Sequence, residues 1–468
     1  MSFTCGCAAV IQVKSHNPLR LGYGRRCPTG ITPMRRCIAL AFALLLTLPA
    51  LAGTPGLSSQ EQRISAAVEA GRQDAVALLG RLVEQNSGTY HHAGVDAVAN
   101  LLRPEFEALR FRVEWKPMTH TGRACHLVAT HRGNGRGKRM LLIGHLDTVF
   151  EPDSPFTGFR IEGNRAIGPG VGDDKGGVAV MLLALRALHA AGALAPADIT
   201  VILTGDEEDV GQPVAQARAD LIAAGKRADV ALDFENLSHA DGRDMGSIAR
   251  RSSNTWTLTV HGETGHSSGI FSESMGDGAA FELARILAAF RSELPEPNLT
   301  FNVGLLGGGE QAAFDAGKTR LAASGKDNVV PPVALARGDF RTLSAEQTRR
   351  VGEKMRAIVS RHLPRTNATL EIDENYPPMA PTAGNRALLA KLNAINRDLG
   401  LEEMGELDPL SRGAGDISFV AADVDGLVGM GASGGNSHAD GEYVELDSIP
   451  RQATRAALLM HRLAQAPR

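Results

Sequence analysis

The chain has 468 residues, of which 43% are hydrophobic and 22% charged, and its formal net charge is −3. This balance is typical of a globular protein and excludes a disordered or fibrous chain. The length predicts two to three domains with room for a sizeable core. The chain is not strongly basic, so nucleic acid is not expected as a partner. No apolar stretch reaches the roughly 18 residues that a membrane span needs, so none is predicted in the mature chain.

The amino-terminal segment has the pattern of a secretory signal peptide. Arg35 and Arg36 precede an apolar run at 37–46, and small residues follow at 50–52 in the A-x-A arrangement of a cleavage site. A buried helix is the alternative for this run. We predict a signal peptide at residues 34–52, a true start at Met34 and a secreted or periplasmic protein. Residues 1–33 would then be an upstream extension.

Removal of residues 1–52 would change both the charge and the cysteine content. That segment holds six of the 49 Lys and Arg residues and no Asp or Glu, so the mature chain would have a net charge of −9. Four of the five cysteines lie in the same segment. A secreted chain that keeps only Cys125 has no internal disulfide. Its core, with help from metal, would therefore have to hold it together.

The mature sequence opens with the pattern of an α/β domain. Ser59-Gln60-Glu61-Gln62 has the form of a capping box, and apolar residues then recur at helical spacing. Short apolar runs bounded by Gly, Asp or polar residues predict three buried strands, at Met140–Gly144, Ile199–Thr204 and Val230–Leu232. A long apolar helix is predicted at Gly177–Ala190. This alternation favours a mostly parallel, mixed sheet flanked by helices.

The pattern changes near residue 249. The next segment predicts a strand, a helix, two strands, a helix and a strand, at Thr255–Val260, Gly278–Phe290, Leu299–Leu306, Val333–Arg341, Ser344–His362 and Ala368–Asp373. This is the β-α-β-β-α-β order of a ferredoxin-like unit. The α/β pattern resumes after residue 376. We therefore predict a catalytic domain in two parts, residues 53–248 and 377–468, interrupted by an inserted α+β lid or dimerisation domain at 249–376.

Acidic side chains and histidines gather where predicted strands end or the long helix begins. They are His145 and Asp147, Asp173 and Asp174 in a Gly-rich segment, Glu207 and Glu208, Asp233 and Glu235, and, after a predicted strand at Leu427–Met430, His438. Ligands of open α/β sheets bind at the carboxyl ends of strands. Histidine and carboxylate without thiolate suit zinc, cobalt or manganese. The set therefore predicts a metal site.

Two other interpretations compete with a metal site. The Gly-rich segment could cradle a phosphate, but it lacks the spacing of a phosphate-binding loop, and Asp173 and Asp174 would repel an anion. Taken singly, a histidine at a strand end is usually a hydrogen-bonded structural residue, and a Glu-Glu pair is usually a solvated turn. The complete set, in this order and at these strand ends, favours the metal site.

These motifs resemble those of the dinuclear zinc metallopeptidases that include bacterial glutamate carboxypeptidase, succinyl-diaminopimelate desuccinylase, aminoacylase and peptidase T. The resemblance covers about residues 58–463. It implies two divalent metal ions, with zinc expected and cobalt or manganese as alternatives. It also implies five metal ligands, namely His145, Asp173, Glu208, Glu235 and His438. Asp173 would bridge the ions, with His145 and Glu235 on one and Glu208 and His438 on the other.

The same resemblance implies the catalytic roles. Paired metals lower the pKa of a bridging bound water toward about 7 and polarise the scissile carbonyl. Glu207 would be the general base that takes the water's proton and passes it to the leaving amine. Asp147 would orient His145, since residues two apart on a strand point to one face. Asp233 remains a rival of Glu235, because it lies only two residues away.

The inserted domain would supply a second set of residues. His266 resembles the family's lid histidine, which stabilises the oxyanion, and it could reach the neighbouring subunit's site. Asn328 and Arg341 resemble substrate-binding positions, and an Arg can hold a terminal carboxylate through two hydrogen bonds. The alternatives are a loop histidine without a role and a surface cation. The Gly-rich stretches 413–415 and 431–435 would let backbone approach the substrate.

The resulting prediction is a secreted, metal-dependent, carboxypeptidase-like exopeptidase or amidohydrolase that cuts an amide next to a free carboxylate. Its substrate would be a small peptide or an N-acyl amino acid. An aminoacylase or dipeptidase of the same family is one alternative. A catalytically silent binding protein on the same fold is the alternative from another class. By analogy with relatives, a homodimer could form through the inserted domain.

Overall fold

The computed structural model describes residues 56–468, so the predicted signal peptide lies outside the described residues. The α-helices of this part of the chain are α1 (Ser59–Ala70), α2 (Arg72–Glu84), α3 (His92–Ala108), α4 (Lys175–Ala190), α5 (Val214–Ala217), α6 (Ala219–Gly225), α7 (Gly278–Glu293), α8 (Ala345–Val359), α9 (Ala383–Asp398) and α10 (Ser448–Gln465). None of these helices is long and apolar enough to cross a membrane.

The strands are short and numerous. Within the same residues they are β1 (Arg112–Pro117), β2 (Cys125–His131), β3 (Arg139–His145), β4 (Arg160–Glu162), β5 (Arg165–Ile167), β6 (Asp198–Thr204), β7 (Val230–Asp233), β8 (Ser238–Ala240), β9 (Arg243–Gly246), β10 (Ser253–Gly262), β11 (Gly265–His266), β12 (Thr300–Gly309), β13 (Gln311–Phe314), β14 (Leu321–Ser324), β15 (Val329–Val330), β16 (Val333–Arg341), β17 (Thr366–Tyr376), β18 (Gly405–Glu406), β19 (Gly426–Val428), β20 (Gly434–Gly435) and β21 (Tyr443–Glu445).

The central sheet has six strands in the order β1-β2-β6-β3-β7-β19. Strands β6, β3, β7 and β19 run parallel, whereas β1 and β2 are antiparallel additions at one edge. This confirms the predicted mixed α/β sheet. The sequence analysis did not predict β1 and β2. Strand β1 is partly exposed along its length, as an edge strand is, and so lacks the continuous apolar run that marks a buried parallel strand.

Helix α4 is the centre of the helical layer. Nearly every one of its residues is buried, because the helix is apolar on all sides and packs against α1, α2 and α10. Helix α1 begins one residue earlier than its capping motif predicted. The side chain of Ser58, rather than Ser59, accepts from the Glu61 N–H at 3.3 Å, and the Glu61 carboxylate accepts from the Ser58 N–H at 2.8 Å.

Residues 253–376, called here the inserted unit, form a separate four-stranded antiparallel sheet in the order β12-β16-β10-β17. Helices α7 and α8 pack on this sheet around a core that includes Trp256, Phe290 and Phe340. This is the predicted β-α-β-β-α-β order, with an additional hairpin formed by β13 and β14. The exact domain boundaries, and the role of the inserted unit as a lid or dimerisation surface, stay predictions.

The two chain crossings that connect the inserted unit to the rest of the protein lie side by side. Arg250, just before β10, pairs with Met379, just after β17, through backbone hydrogen bonds of 3.0 and 2.9 Å. Both crossings run beside the carboxyl edge of the central sheet. As a result, Arg250 and Tyr376 contribute side chains to the cavity at that edge.

Candidate metal and active site

Three neighbouring parallel strands deliver the predicted residues to one edge. Strand β3 ends at His145, β6 leads into the loop that carries Glu207 and Glu208, and β7 leads to Glu235. Because β3 lies between β6 and β7, their carboxyl ends are adjacent. A cavity of about 680 Å³ at this edge is lined by Glu207, Glu208 and Glu235, together with Asp173 and His438.

Asp173 lies between two histidines. Its Oδ1 is 3.0 Å from His145 Nε2, and its Oδ2 is 3.1 Å from His438 Nε2. Glu208 Oε2 is also 3.1 Å from His438 Nε2. One ligand atom each from His145, Asp173 and Glu208 lie within 4.8 Å of one another. A carboxylate with a different imidazole at each oxygen has the placement that a metal-bridging ligand requires.

The chemistry of these donors fits divalent cations. Imidazole and carboxylate are the ligands that zinc, cobalt and manganese take in proteins. Glu208 Oε1 is buried and has no hydrogen-bond partner within residues 56–468. Burial raises the pKa of Glu208 to about 7. For Asp173, burial alone would raise the pKa, but hydrogen bonds with His145 and His438 hold it well below its usual range.

Asp147 connects His145 to the loop of the predicted base. His145 Nδ1 lies 3.1 Å from the Asp147 carbonyl oxygen and 3.4 Å from Asp147 Oδ1. Asp147 also accepts from the backbone N–H groups of Glu207 and Glu208 at 3.0 and 3.1 Å. Strand β3 ends at His145, so Asp147 reaches this place from the following loop. The expectation that both residues share one face of a strand was therefore wrong.

Thr89 is a residue of the site that the sequence analysis missed. Its hydroxyl donates to Asp147 Oδ2 at 2.7 Å, and both side chains are buried. Thr89 lies in the loop after α2. This loop is joined to the loop after β3 by a backbone hydrogen bond, in which the Thr148 N–H donates to the Ser87 carbonyl at 2.9 Å. The sequence analysis found no motif in the loop after α2, because that loop joins two helices and does not follow a predicted strand.

Glu207 faces the same cavity as the clustered ligands. Burial raises its pKa well above the ordinary value, and the nearby negative charge of Glu235 raises it further. Its backbone is held at both ends, because the N–H donates to Asp147 and the carbonyl accepts from the Tyr376 hydroxyl at 2.6 Å.

Glu235 lies in the cavity but outside the group of ligand atoms that includes Glu208. Its Oε1 faces Arg250 Nη1, and its Oε2 is 3.2 Å from Arg412 Nη2. The rival Asp233 is 1% exposed and does not line the cavity. Burial and the charge of Glu235 raise the pKa of Asp233 to about 7. Cavity access therefore favours Glu235 over Asp233 as the ligand on this side.

Gly415 makes room for the pair between Glu235 and Arg250. A Cβ on Gly415 would lie 2.0 Å from Arg250 Nη1 and 2.7 Å from Glu235 Oε1, so a side chain there would displace both. Arg250 Nε also donates to the Gly413 carbonyl at 2.9 Å. The Gly-rich stretch 413–415 was expected to approach substrate, whereas its last glycine gives space to protein side chains.

Glu442 is a second residue that the sequence analysis missed. Its buried carboxylate accepts from the N–H groups of Gly170, Gly172 and Asp173 at 3.2, 2.7 and 2.9 Å. Burial raises the pKa of Glu442 to about 7. The carboxylate thus fixes the Gly-rich loop that presents Asp173. Glu442 lies only four residues after the predicted ligand His438, but this spacing by itself does not predict a contact with the Gly-rich loop.

The three residues predicted from the inserted unit separate into two groups. Arg341 lines the cavity. His266 and Asn328 do not line it, and they lie together on a two-stranded ribbon in which Ser267 N–H donates to the Asn328 carbonyl at 2.9 Å. His266 is exposed, with Nδ1 at 2.8 Å from Ser268 Oγ. A single chain therefore does not bring His266 and Asn328 to the cavity, and a role in a neighbouring subunit's site stays a prediction.

Comparison with known proteins identifies the family of this chain. Residues 141–462 match the family model described as Peptidase family M20/M25/M40. The chain is 27% identical over 431 residues to carboxypeptidase G2 from Pseudomonas sp. strain RS-16, which covers 90% of this chain and 96% of that protein.

Solved structures have the same fold at low identity. Aminopeptidase PepT from Bacillus cereus has a TM-score of 0.66 and 18% identity over 84% of this chain and 99% of that chain. A dinuclear metal-binding M20 peptidase from Bacillus subtilis has a TM-score of 0.60 and 15% identity over 85% and 99%. The predicted family and fold are confirmed. The chain belongs to the peptidase family M20/M25/M40 and is a metallopeptidase-type hydrolase with a candidate metal site at the carboxyl edge of its central sheet.

Proposed function

We propose that this protein is a secreted two-metal hydrolase that cuts an amide bond next to a free carboxylate, as a carboxypeptidase or an N-acyl-amino-acid amidohydrolase does. The observation that supports this most is the position of Asp173, which has His145 at one carboxylate oxygen and His438 at the other. A carboxylate placed in this way can bridge the two ions of a dinuclear centre. The name of the Bacillus subtilis structure, a dinuclear metal-binding peptidase, agrees with it.

The cavity residues would hold two divalent ions. His145, Asp173 and Glu235 would bind one, and Asp173, Glu208 and His438 the other. Zinc is the first candidate, with cobalt and manganese as alternatives. When bound, such a pair activates water near neutral pH and polarises the scissile carbonyl.

Glu207 would accept the proton of the attacking water and deliver it to the leaving amine. Its carboxyl group lies in the cavity beside the ligands, and burial raises its pKa, which makes it a stronger base than an exposed carboxylate. The hydrogen bonds at both ends of its backbone hold it in place for this transfer. General-base catalysis of this kind contributes about 10²–10⁴ in rate.

Arg341 would recognise the substrate carboxylate. It enters the cavity from strand β16 of the inserted unit, and its guanidinium can hold a carboxylate through two parallel hydrogen bonds. The relative named carboxypeptidase G2, which aligns with 90% of this chain, supports a bond next to a terminal carboxylate. We infer that the substrates are small peptides or N-acyl amino acids.

The test is a hydrolysis screen of dipeptides and N-acyl amino acids with purified protein supplied with zinc, cobalt or manganese. We expect turnover that chelator abolishes, and a loss of about 10²–10⁴ in kcat for Glu207→Gln with its metal content unchanged. Metal-independent binding of these compounds without turnover would support the catalytically silent alternative. Full activity in chelator would contradict the proposal.

Secretion and dimerisation are separate parts of the proposal. We expect cell fractionation to place the mature protein outside the cytoplasm and sequencing to give an amino terminus after Ala52. A cytoplasmic chain that retains residues 34–52 would contradict this. A dimer through the inserted unit would show as twice the monomer mass in solution.

A further inference from the structure

Tyr376 lies where the inserted unit returns to the central domain. It is the last residue of β17, and its ring packs against Phe419 with ring centroids 5.0 Å apart. The side chain is 9% exposed. On the neighbouring crossing, Arg250 pairs with Met379 three residues further along the chain. Tyr376 is therefore anchored to both the inserted unit and the core of the central domain.

The Tyr376 hydroxyl is used for one polar contact with the proposed base. It donates to the backbone carbonyl of Glu207 at 2.6 Å and accepts from Arg218 Nη2 at 3.3 Å. On the other side of the same residue, the Glu207 N–H donates to Asp147 Oδ1 at 3.0 Å. Both ends of the Glu207 backbone are fixed by buried side chains, so the direction in which its carboxylate leaves the chain is fixed as well.

Arg218 contacts both the Tyr376 hydroxyl and the segment that precedes Glu207. It is fully buried, and its Nε donates to Asp416 Oδ1 at 2.7 Å. Its Nη1 donates to Asp206 Oδ1 at 2.5 Å and its Nη2 to the Asp206 carbonyl at 3.0 Å. Asp206 directly precedes Glu207, so the guanidinium joins the base loop, the hydroxyl of Tyr376 and the segment around Asp416. A buried network of this kind, with its charges paired, rigidifies the groups that it joins.

We propose that Tyr376 is a positioning residue for Glu207, and this inference rests on the proposed role of Glu207 as general base. The tyrosine hydroxyl is already paired with the Glu207 carbonyl and with Arg218 Nη2, so we assign it no part in the proton transfer itself. It acts by holding the peptide that presents the carboxylate, and it ties that peptide to the crossing from the inserted unit. A small misplacement of a catalytic group is costly, since about 1 Å can lower the rate about 10²-fold.

Tyr376→Phe tests the proposal, because it removes the hydroxyl and keeps the ring that packs on Phe419. We expect kcat to fall about tenfold or more, with KM changed less than about threefold and metal content unchanged. Tyr443→Phe is the matched control. Tyr443 lies in strand β21 outside the cavity, and its ring stacks against the Arg165 guanidinium. The kcat and KM of the Tyr443→Phe variant should equal those of the unmodified protein.

A double-mutant cycle with Glu207→Gln separates positioning from general structural damage. If Tyr376 acts through Glu207, Tyr376→Phe should lower kcat in the native background and leave the residual rate of the Glu207→Gln protein unchanged. The same fold-loss in both backgrounds, or no loss in either, would overturn the positioning role while Glu207 kept its own. Full activity of Glu207→Gln alone would instead remove the proposed function, and the inference with it.

Discussion

A glutamate lies on each side of Asp173, and the two glutamates differ in the groups that face them. On the side of His438, Glu208 has an imidazole at 3.1 Å and a second oxygen that is buried without a partner in the described part of the chain. On the side of His145, Glu235 faces two guanidinium groups, those of Arg250 and Arg412. We refer to these as the Glu208 side and the Glu235 side.

This difference shows that the negative charges of the buried acidic cluster are balanced in two different ways. On the Glu235 side, arginines of the chain itself balance the carboxylate, so a metal ion there must share Glu235 with two existing cations. On the Glu208 side, no arginine of residues 56–468 forms an ion pair with the carboxylate. Like charges at about 4 Å repel appreciably even at a protein surface. We therefore expect the Glu208 side to bind the tighter ion and the Glu235 side the weaker one.

The strongest test of this comparison is Glu208→Gln. It should weaken the tighter ion by at least about 100-fold and abolish turnover, because the amide cannot supply the charge of a ligating carboxylate. Calorimetric titration with zinc and steady-state kinetics measure both effects. Asp209→Asn is the control, since the next carboxylate in the chain pairs with Tyr90 and Arg123 instead. Unchanged binding of two ions by Glu208→Gln would refute the assignment of this side.

A smaller effect, of opposite sign, is expected for Arg412→Gln. Removing one guanidinium from Glu235 should raise the affinity of the weaker ion about tenfold, equal to about 1.4 kcal/mol, and leave the tighter ion unchanged. Cobalt absorption spectra during titration distinguish the two ions. Arg386→Gln is the control, because Arg386 does not line the cavity and its Nε donates to Glu406 Oε1 at 2.9 Å. A weaker second ion in Arg412→Gln would mean that Arg412 holds Glu235 in its ligating orientation.

Proton release provides a pH test of the Glu208 side. Hydrogen bonds with Asp173 and Glu208 raise the pKa of His438 to about 11, so the metal-depleted protein carries this imidazolium at pH 8. A histidine must lose its proton to bind a metal, so loading should release about one proton from His438. Apparent affinity should then rise with pH below this pKa and level off above it. Calorimetry in buffers of different ionisation enthalpy measures the release, and His438→Asn should lower it.

The sequence predicted the fold and the residues at strand ends for one physical reason. Buried parallel strands are continuous apolar runs, so their ends can be located, and His145, Glu208 and Glu235 follow directly from them. The edge strand β1 lacks that signal because it is partly exposed along its length, and in its neighbour β2 histidines and a threonine interrupt the apolar run. The position of Ser58 as the first cap of α1 differs from its prediction by one residue, because two serines in succession satisfy the same motif.

The residues that hold the site in place could not be predicted in this way. Thr89, Arg412 and Glu442 lie in loops far apart in the sequence, and only the folded chain brings them to the ligands. Each is an ordinary polar residue without a spacing rule that links it to a strand end. Their roles depend on which atoms they contact, and a sequence pattern does not contain that information.

The smallest expected effect concerns Thr89, which contacts Asp147, the residue that in turn contacts His145. Thr89→Val keeps the shape of the side chain and removes the hydroxyl that donates to Asp147 Oδ2 at 2.7 Å. Asp147 keeps the N–H groups of Glu207 and Glu208 as donors, so the loss should be partial, about fivefold in kcat/KM, or about 1 kcal/mol. Thr89→Ser retains the hydroxyl and should recover most of the activity. Full activity of Thr89→Val together with a loss in Thr89→Ser would show that packing of the Thr89 methyl group, rather than its hydrogen bond, supports Asp147.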